Sequence, residues 1–229
     1  DLRRYKRLQM FVHAEKQEED PGDLKDGDLS LFMRIGSDYL NNYYEIEIPL
    51  HLTAEGRYNN QITSDREKVW PEANRIDLAL ELFTRLKLKR NSLLQQGIEH
   101  AFHIPYSEAN PEKEGSILTV MGNPSLAEIK VMMIGIRNNS SITNSGEVWV
   151  NELRLSEFNE KGGWAAEGNV GIALSDIGNI QFSARKETAG FGALSQGLQQ
   201  RRNNDYSSFH FTFNMDLGRF LPRKAKITA

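Results

Sequence analysis

Five histidines, His13, His51, His100, His103 and His210, are the side chains best suited to acid–base work or metal binding. His100 and His103 lie three apart in HAFH, which lacks the glutamate and the i,i+4 spacing of a zinc-protease helix. The remaining three are scattered and read as ordinary strand or loop residues. Asp20, Asp23, Asp26 and Asp28 could offer oxygens to calcium, a hard cation that needs several such ligands. Their spacing does not match an EF-hand loop, and a solvated polar turn explains them. Gly190, Gly192 and Gly197 in AGFGALSQG lack both the spacing and the surrounding βαβ unit of a phosphate-binding loop. Tyr39, Tyr43 and Tyr44, with Trp70, could form a platform that stacks on sugar rings. Strand aromatics also serve as core residues or cross-strand pairs, so both readings stand. No Ser/His/Asp set or carboxylate pair can be assembled from spacing, and cysteine is absent, which removes disulfides, thiolate metal sites and thiol nucleophiles. The expectation is no enzyme, no catalytic residue, no resident metal and no cofactor.

The elements that must carry these residues are mostly strands. Residues 29–35 and 44–52 alternate apolar and polar side chains around a Gly- and Asn-containing gap at 36–42, which predicts an antiparallel hairpin with one face in a core. Pro49 has no ladder donor, so that end of the second strand is expected at a sheet edge or a bulge. Residues 8–14 predict an earlier strand, followed by a charged loop at 16–28. Residues 53–68 read as a surface loop. Ile76, Ala79, Leu80, Phe83 and Leu86 recur at helical spacing, with Asn74 or Asp77 to start a helix and Arg85, Lys87, Lys89 and Arg90 near its end. Residues 95–115 read as loop, and 117–120 as a short strand.

The run KVMMIGIR at 130–137 is almost continuously apolar, as expected of a central strand covered on both faces. On that reading Ile134→Asp unfolds the sandwich. In the next strand Trp149, Leu153 and Leu155 are expected on one face, with Val148, Val150 and Arg154 on the other. A boundary falls at EKGG, 160–163, giving a first domain at 1–158 and a hairpin segment at 159–229. In the second, residues 170–174, 180–184 and 209–217 alternate. Phe209, Phe211, Phe213, Met215 and Leu217 share a face that could meet either lipid or a soluble core. The predicted fold class is mainly β: an antiparallel jelly-roll-like sandwich with one packed α-helix, followed by β-hairpin segments.

The 229 residues carry a net charge of -3, which argues against a general nucleic-acid binder. Hydrophobic residues at 39% and charged ones at 26% fit a folded domain. No apolar run has the length of a membrane helix and DLRRYKRLQM has no signal-peptide h-region, so the chain reads as an internal segment of a longer protein.

Several separated blocks then carry a resemblance: RIGSD (34–38), NYYEIEIPL (42–50), VWPEAN (69–74), IGIRN (134–138), WVNELRL (149–155), GGWAA (162–166) and AGFG (189–192). Their order resembles the SprA (Sov) proteins of Bacteroidetes, large outer-membrane translocons of the type IX secretion system. The resemblance implies a piece of a very large β-barrel protein that passes folded cargo and supports gliding motility. Its implied partners are other segments of the parent protein, other secretion-system subunits and, through the parent, the outer membrane. The family supplies no catalytic residue to carry over. The 149–155 strand is also similar to the closing strand of carbohydrate-binding jelly rolls, so a glycan-binding module of a cell-surface protein is the alternative.

Overall fold

The computed structural model describes residues 1–19, 23–97, 102–175, 177–192, 194–197 and 200–216. It is mainly β and divides into two compact units, Asp1–Asn159 and Glu160–Ala229.

Among its described residues the first unit holds eight strands. They are β1 (Tyr5–Lys16), β2 (Leu29–Gly36), β3 (Tyr43–Pro49), β4 (Ile76–Ala79), β5 (Tyr106–Ala109), β6 (Ile117–Met121), β7 (Val131–Asn138) and β8 (Gly146–Phe158). Two helices join them, α1 (Thr63–Val69) and α2 (Glu81–Gln95). One antiparallel sheet runs β4-β1-β8 and the other β5-β6-β3-β2-β7. Alternation sets the core. Leu8, Met10, Val12 and Ala14 from β1 meet Leu31, Met33 and Ile35 from β2 and Tyr44, Ile46 and Ile48 from β3, all buried in one cluster. Three strands cannot cover five. Helix α2 helps close the gap with Leu82, Phe83 and Leu86, and Tyr44 stacks on Phe83 with ring centroids 5.0 Å apart.

Several expectations need correction. Ile76 does not begin a helix. Residues 76–79 form β4, whose Ile76 and Leu78 enter the core while Asp77 holds Arg7 and Gln9 of β1 from the other face. The helix starts after Leu80, whose N–H donates to the Lys6 carbonyl, and it runs to Gln95, so Arg85, Lys87, Lys89 and Arg90 sit within it and not in its last turn. Residues 63–69, expected as loop, form α1, and 106–109 form β5. The 130–137 run is not central: β7 is the edge strand beyond β2. In β8 the expected parity fails at a bulge. Gln9 pairs with Arg154 but Phe11 pairs with Asn151, and Glu152 takes a positive φ of 53°. The extra residue puts Val148 and Leu155 on the same, core side, while Trp149 faces away from it.

Pro49, by contrast, ends a strand that is interior to its sheet. It falls past the last β6 pairing, Glu47 with Ile117, where no neighbour needs its missing donor.

The second unit holds β9 (Ala165–Ala173), β10 (Gly178–Glu187) and β11 (Tyr206–Met215) in one antiparallel sheet, ordered β11-β10-β9. Leu217 of the expected 209–217 strand lies outside the described residues.

Candidate functional site

The four aromatics proposed to stack on sugars do not present one surface. Tyr44 is buried in the core, its hydroxyl donating to the Pro124 carbonyl at 3.0 Å, and burial pushes that phenol up to about 12. Tyr43, on the opposite face of β3, is buried beneath Arg34, whose guanidinium sits 4.2 Å from the ring centroid. Tyr39 projects from the β2–β3 loop, 48% exposed. Trp70 packs at a tilt against His13, with ring centroids 5.9 Å apart. Alternation sent Tyr43 and Tyr44 to opposite faces of one strand, which spacing alone already implied.

The histidines do not converge either. His13 Nδ1 lies 2.7 Å from the Val69 carbonyl and 3.0 Å from the Thr53 hydroxyl, and its Nε2 lies 3.2 Å from Glu15. This set ties α1 and Thr53, which also forms a parallel bridge with Glu15, to β1. It borders a cleft of about 680 Å³ lined also by Leu52, Tyr58 and Glu55. His51 faces Asp26 at 3.2 Å, His103 is exposed on a loop, and His210 meets Thr212 at 3.0 Å. His100 lies outside the described residues, as does Asp20 of the acidic loop. The other three aspartates are used locally. Asp23 pairs with Lys16, Asp26 accepts from the Leu52 N–H, and Asp28 from the Lys25 N–H. Among the described residues no three His, Asp or Glu side chains gather as a metal site would require.

The outward face of the five-stranded sheet holds a charge network that sequence reading missed. Glu45, nearly fully buried, accepts from Arg34 and, at 2.9 Å, from Arg137. Glu47 takes Arg137 and the Ser30 hydroxyl. The signal was available: Ser30, Arg34, Glu45, Glu47 and Arg137 are the polar partners of three strands placed side by side. Phe32 lies across Gly135, where an added Cβ would come within 2.4 Å of its ring, and Arg137 caps that ring at 4.2 Å. Each charge is answered by its neighbours, and the network ties the three strands together.

In the second unit the side chains segregate by face. Ile180 stands between Ile172 and Phe213, and Phe182 between Val170 and Phe211; Phe209 and Met215 extend the row. This face is uncovered: Phe209 is 76% exposed, Phe211 65% and Phe213 47%. The opposite face carries Glu167, Asn169, Gln181, Ser183, Arg185, Thr212 and Asn214. At the end where β9 begins, Trp164 is exposed with the Lys186 ammonium 5.7 Å from its ring.

Among the described residues no helix is long and apolar enough to cross a membrane. No curated protein matches the chain. The SprA_N family, described as motility related/secretion protein, matches residues 1–229, the length of the chain. The blocks of residues that resembled SprA and the match over every position agree, and the chain belongs to this family of motility- and secretion-related proteins.

Proposed function

We propose that the chain is a non-enzymatic structural module of a large outer-membrane protein translocon, of the type IX secretion kind that also serves gliding motility. The first unit is a folded sandwich carried in the cell envelope. The second is a stretch of barrel wall.

The two-faced sheet of the second unit carries this reading. Its strands run nine, ten and ten residues, against the roughly 9–11 that cross a bilayer when tilted. A row of uncovered Phe, Ile and Val opposite a row of Asn, Gln, Ser and Thr is the pattern of a barrel wall, with lipid on one side and water on the other. Trp164 and Lys186 at one end suit the headgroup layer, where an aromatic ring and a long cation both find partners. Family membership supports the same assignment. The first unit performs no bond-making in this reading: Arg34, Glu45, Glu47 and Arg137 satisfy one another, and His13 is tied to the Val69 backbone.

Deletion of residues 1–158 from the parent protein tests the role of the sandwich. Loss of secretion with the barrel still assembled in the outer membrane is the expected result. Normal secretion by the deletion strain would refute a necessary role.

A further inference from the structure

Sheets end in strands whose outer backbone groups have no partner, and folded proteins protect such edges with short strands, charges, prolines or bulges. Three of the four sheet edges in the first unit follow that rule. β4 and β5 are four residues each and carry Asp77 and Glu108. β8 is long, but it is broken by positive-φ residues at Glu152 and Glu157 and carries Glu147, Glu152, Arg154 and Glu157 along its length. Among the described residues β7 is the exception. It is eight residues, regular, and uncharged from Val131 to Ile136.

The phase of its hydrogen bonds follows from two contacts. The Asn139 N–H donates to the Asp28 carbonyl at 2.7 Å, and the Leu50 N–H to the Leu29 carbonyl at 2.9 Å. Leu29 thus turns its backbone toward β3 and Asp28 toward β7. By alternation Val131, Met133, Gly135 and Arg137 bond to β2, while Met132, Ile134 and Ile136 turn their N–H and C=O groups to the open side. These last three also point their side chains to the core side of the sheet, opposite Ile35, Met33 and Leu31. They are 42%, 37% and 41% exposed there.

We propose that the open edge of β7 receives an extended strand from a partner protein, adding a sixth strand to the sheet. A helix or an acyl chain could cover the apolar side chains, but neither offers donors and acceptors every second residue, about 6.8 Å apart, to meet the three exposed peptide groups. The charge at the edge fixes the partner's composition. Arg137 is neutralised by Glu45 and Glu47, and Lys130 by Glu128, so the matching strand is uncharged over six or seven residues. Its apolar side chains, at every second position, lie over Met132, Ile134 and Ile136. Pairing of this kind takes affinity from main-chain bonds and specificity from alternate side chains.

The test uses the 229-residue chain and a synthetic ten-residue peptide alternating valine with threonine. Amide exchange is followed residue by residue by NMR. Saturating peptide is expected to slow exchange at Met132, Ile134 and Ile136 by about tenfold or more, the scale of a 1.4 kcal/mol bond gain. Met133 and Gly135, already bonded to β2, stay unchanged. Ile134→Pro removes only an outward N–H and is expected to abolish binding with the thermal melt retained. If that variant does not fold, Met132→Lys with Ile136→Lys places charges along the edge without touching a β2 bond, and binding is again lost. No peptide-induced protection, or protection equal at odd and even residues, overturns the proposal. So does protection without peptide that grows with protein concentration alongside dimer in sedimentation, which would assign the edge to a second copy.

Discussion

Asp38 shows how one exposed carboxylate can set a loop. It accepts from the N–H groups of Leu40, Asn41 and Asn42 and from the Asn42 side chain, closing the turn between β2 and β3. Those bonds, led by Asn41, hold its carboxyl down at about 2, below the ordinary value of 3.8. A depressed folded value means that the stabilisation is fully present above pH 3.8 and is lost as pH falls through about 2. Asp38→Ala is expected to lower the melting temperature at pH 7 and to flatten the loss of stability in that acid window, read from melts across pH. Phe83→Ala removes the ring that stacks on Tyr44 and is expected to cost about 3–5 kcal/mol in denaturant unfolding. Glu45→Ala leaves Arg34 and Arg137 without their shared acceptor and is expected to cost about 2 kcal/mol, the scale of hydrogen bonds to charged groups. Ile134→Asp, at a strand edge and partly exposed, is expected to leave the fold intact with a loss of about 1 kcal/mol.

At the scale of elements, legibility depended on how many neighbours an element has. β1, β2 and β3 were readable because each alternates cleanly and each apolar row lies under cover. β7 misled because an apolar run records what a strand's side chains will meet and not whether another strand lies beside it. β4 was absorbed into a helix since Ile76 and Leu80, four residues apart, fit both periods and Phe83 continues the helical one. The β8 bulge was invisible, because a one-residue insertion leaves no compositional trace. The aromatic site failed for a simpler reason: adjacent residues on a strand face opposite ways. In the second unit the alternation of β11 was plain, and only the register with β9 and β10 revealed three aligned rows. A charge on either side separates the two faces. Phe211→Arg is expected to cost barrel assembly about 2–4 kcal/mol near the bilayer midplane, whereas Thr212→Arg is tolerated, as scored by heat-modifiability of the parent protein in outer-membrane fractions.

For the whole molecule, the two units differ in what each needs from outside. The first buries its apolar residues in a core shared by two sheets and a helix. Among its described residues the second has no such core: Phe209, Phe211 and Phe213 stay exposed on one face of its sheet. The deletion of residues 1–158 is practicable because β1 and β8 lie side by side. Tyr5 pairs with Phe158, their rings 5.3 Å apart, and the Asn159 N–H donates to the Arg4 carbonyl at 2.6 Å. A module built this way can sit in a longer polypeptide with its flanks barely separated. The same closeness sets its mechanical response. Tension entering through both flanks loads the β1–β8 ladder one rung after another, like a zip, so the sandwich would yield at low force and could let out slack while the rest of the envelope machinery stays whole.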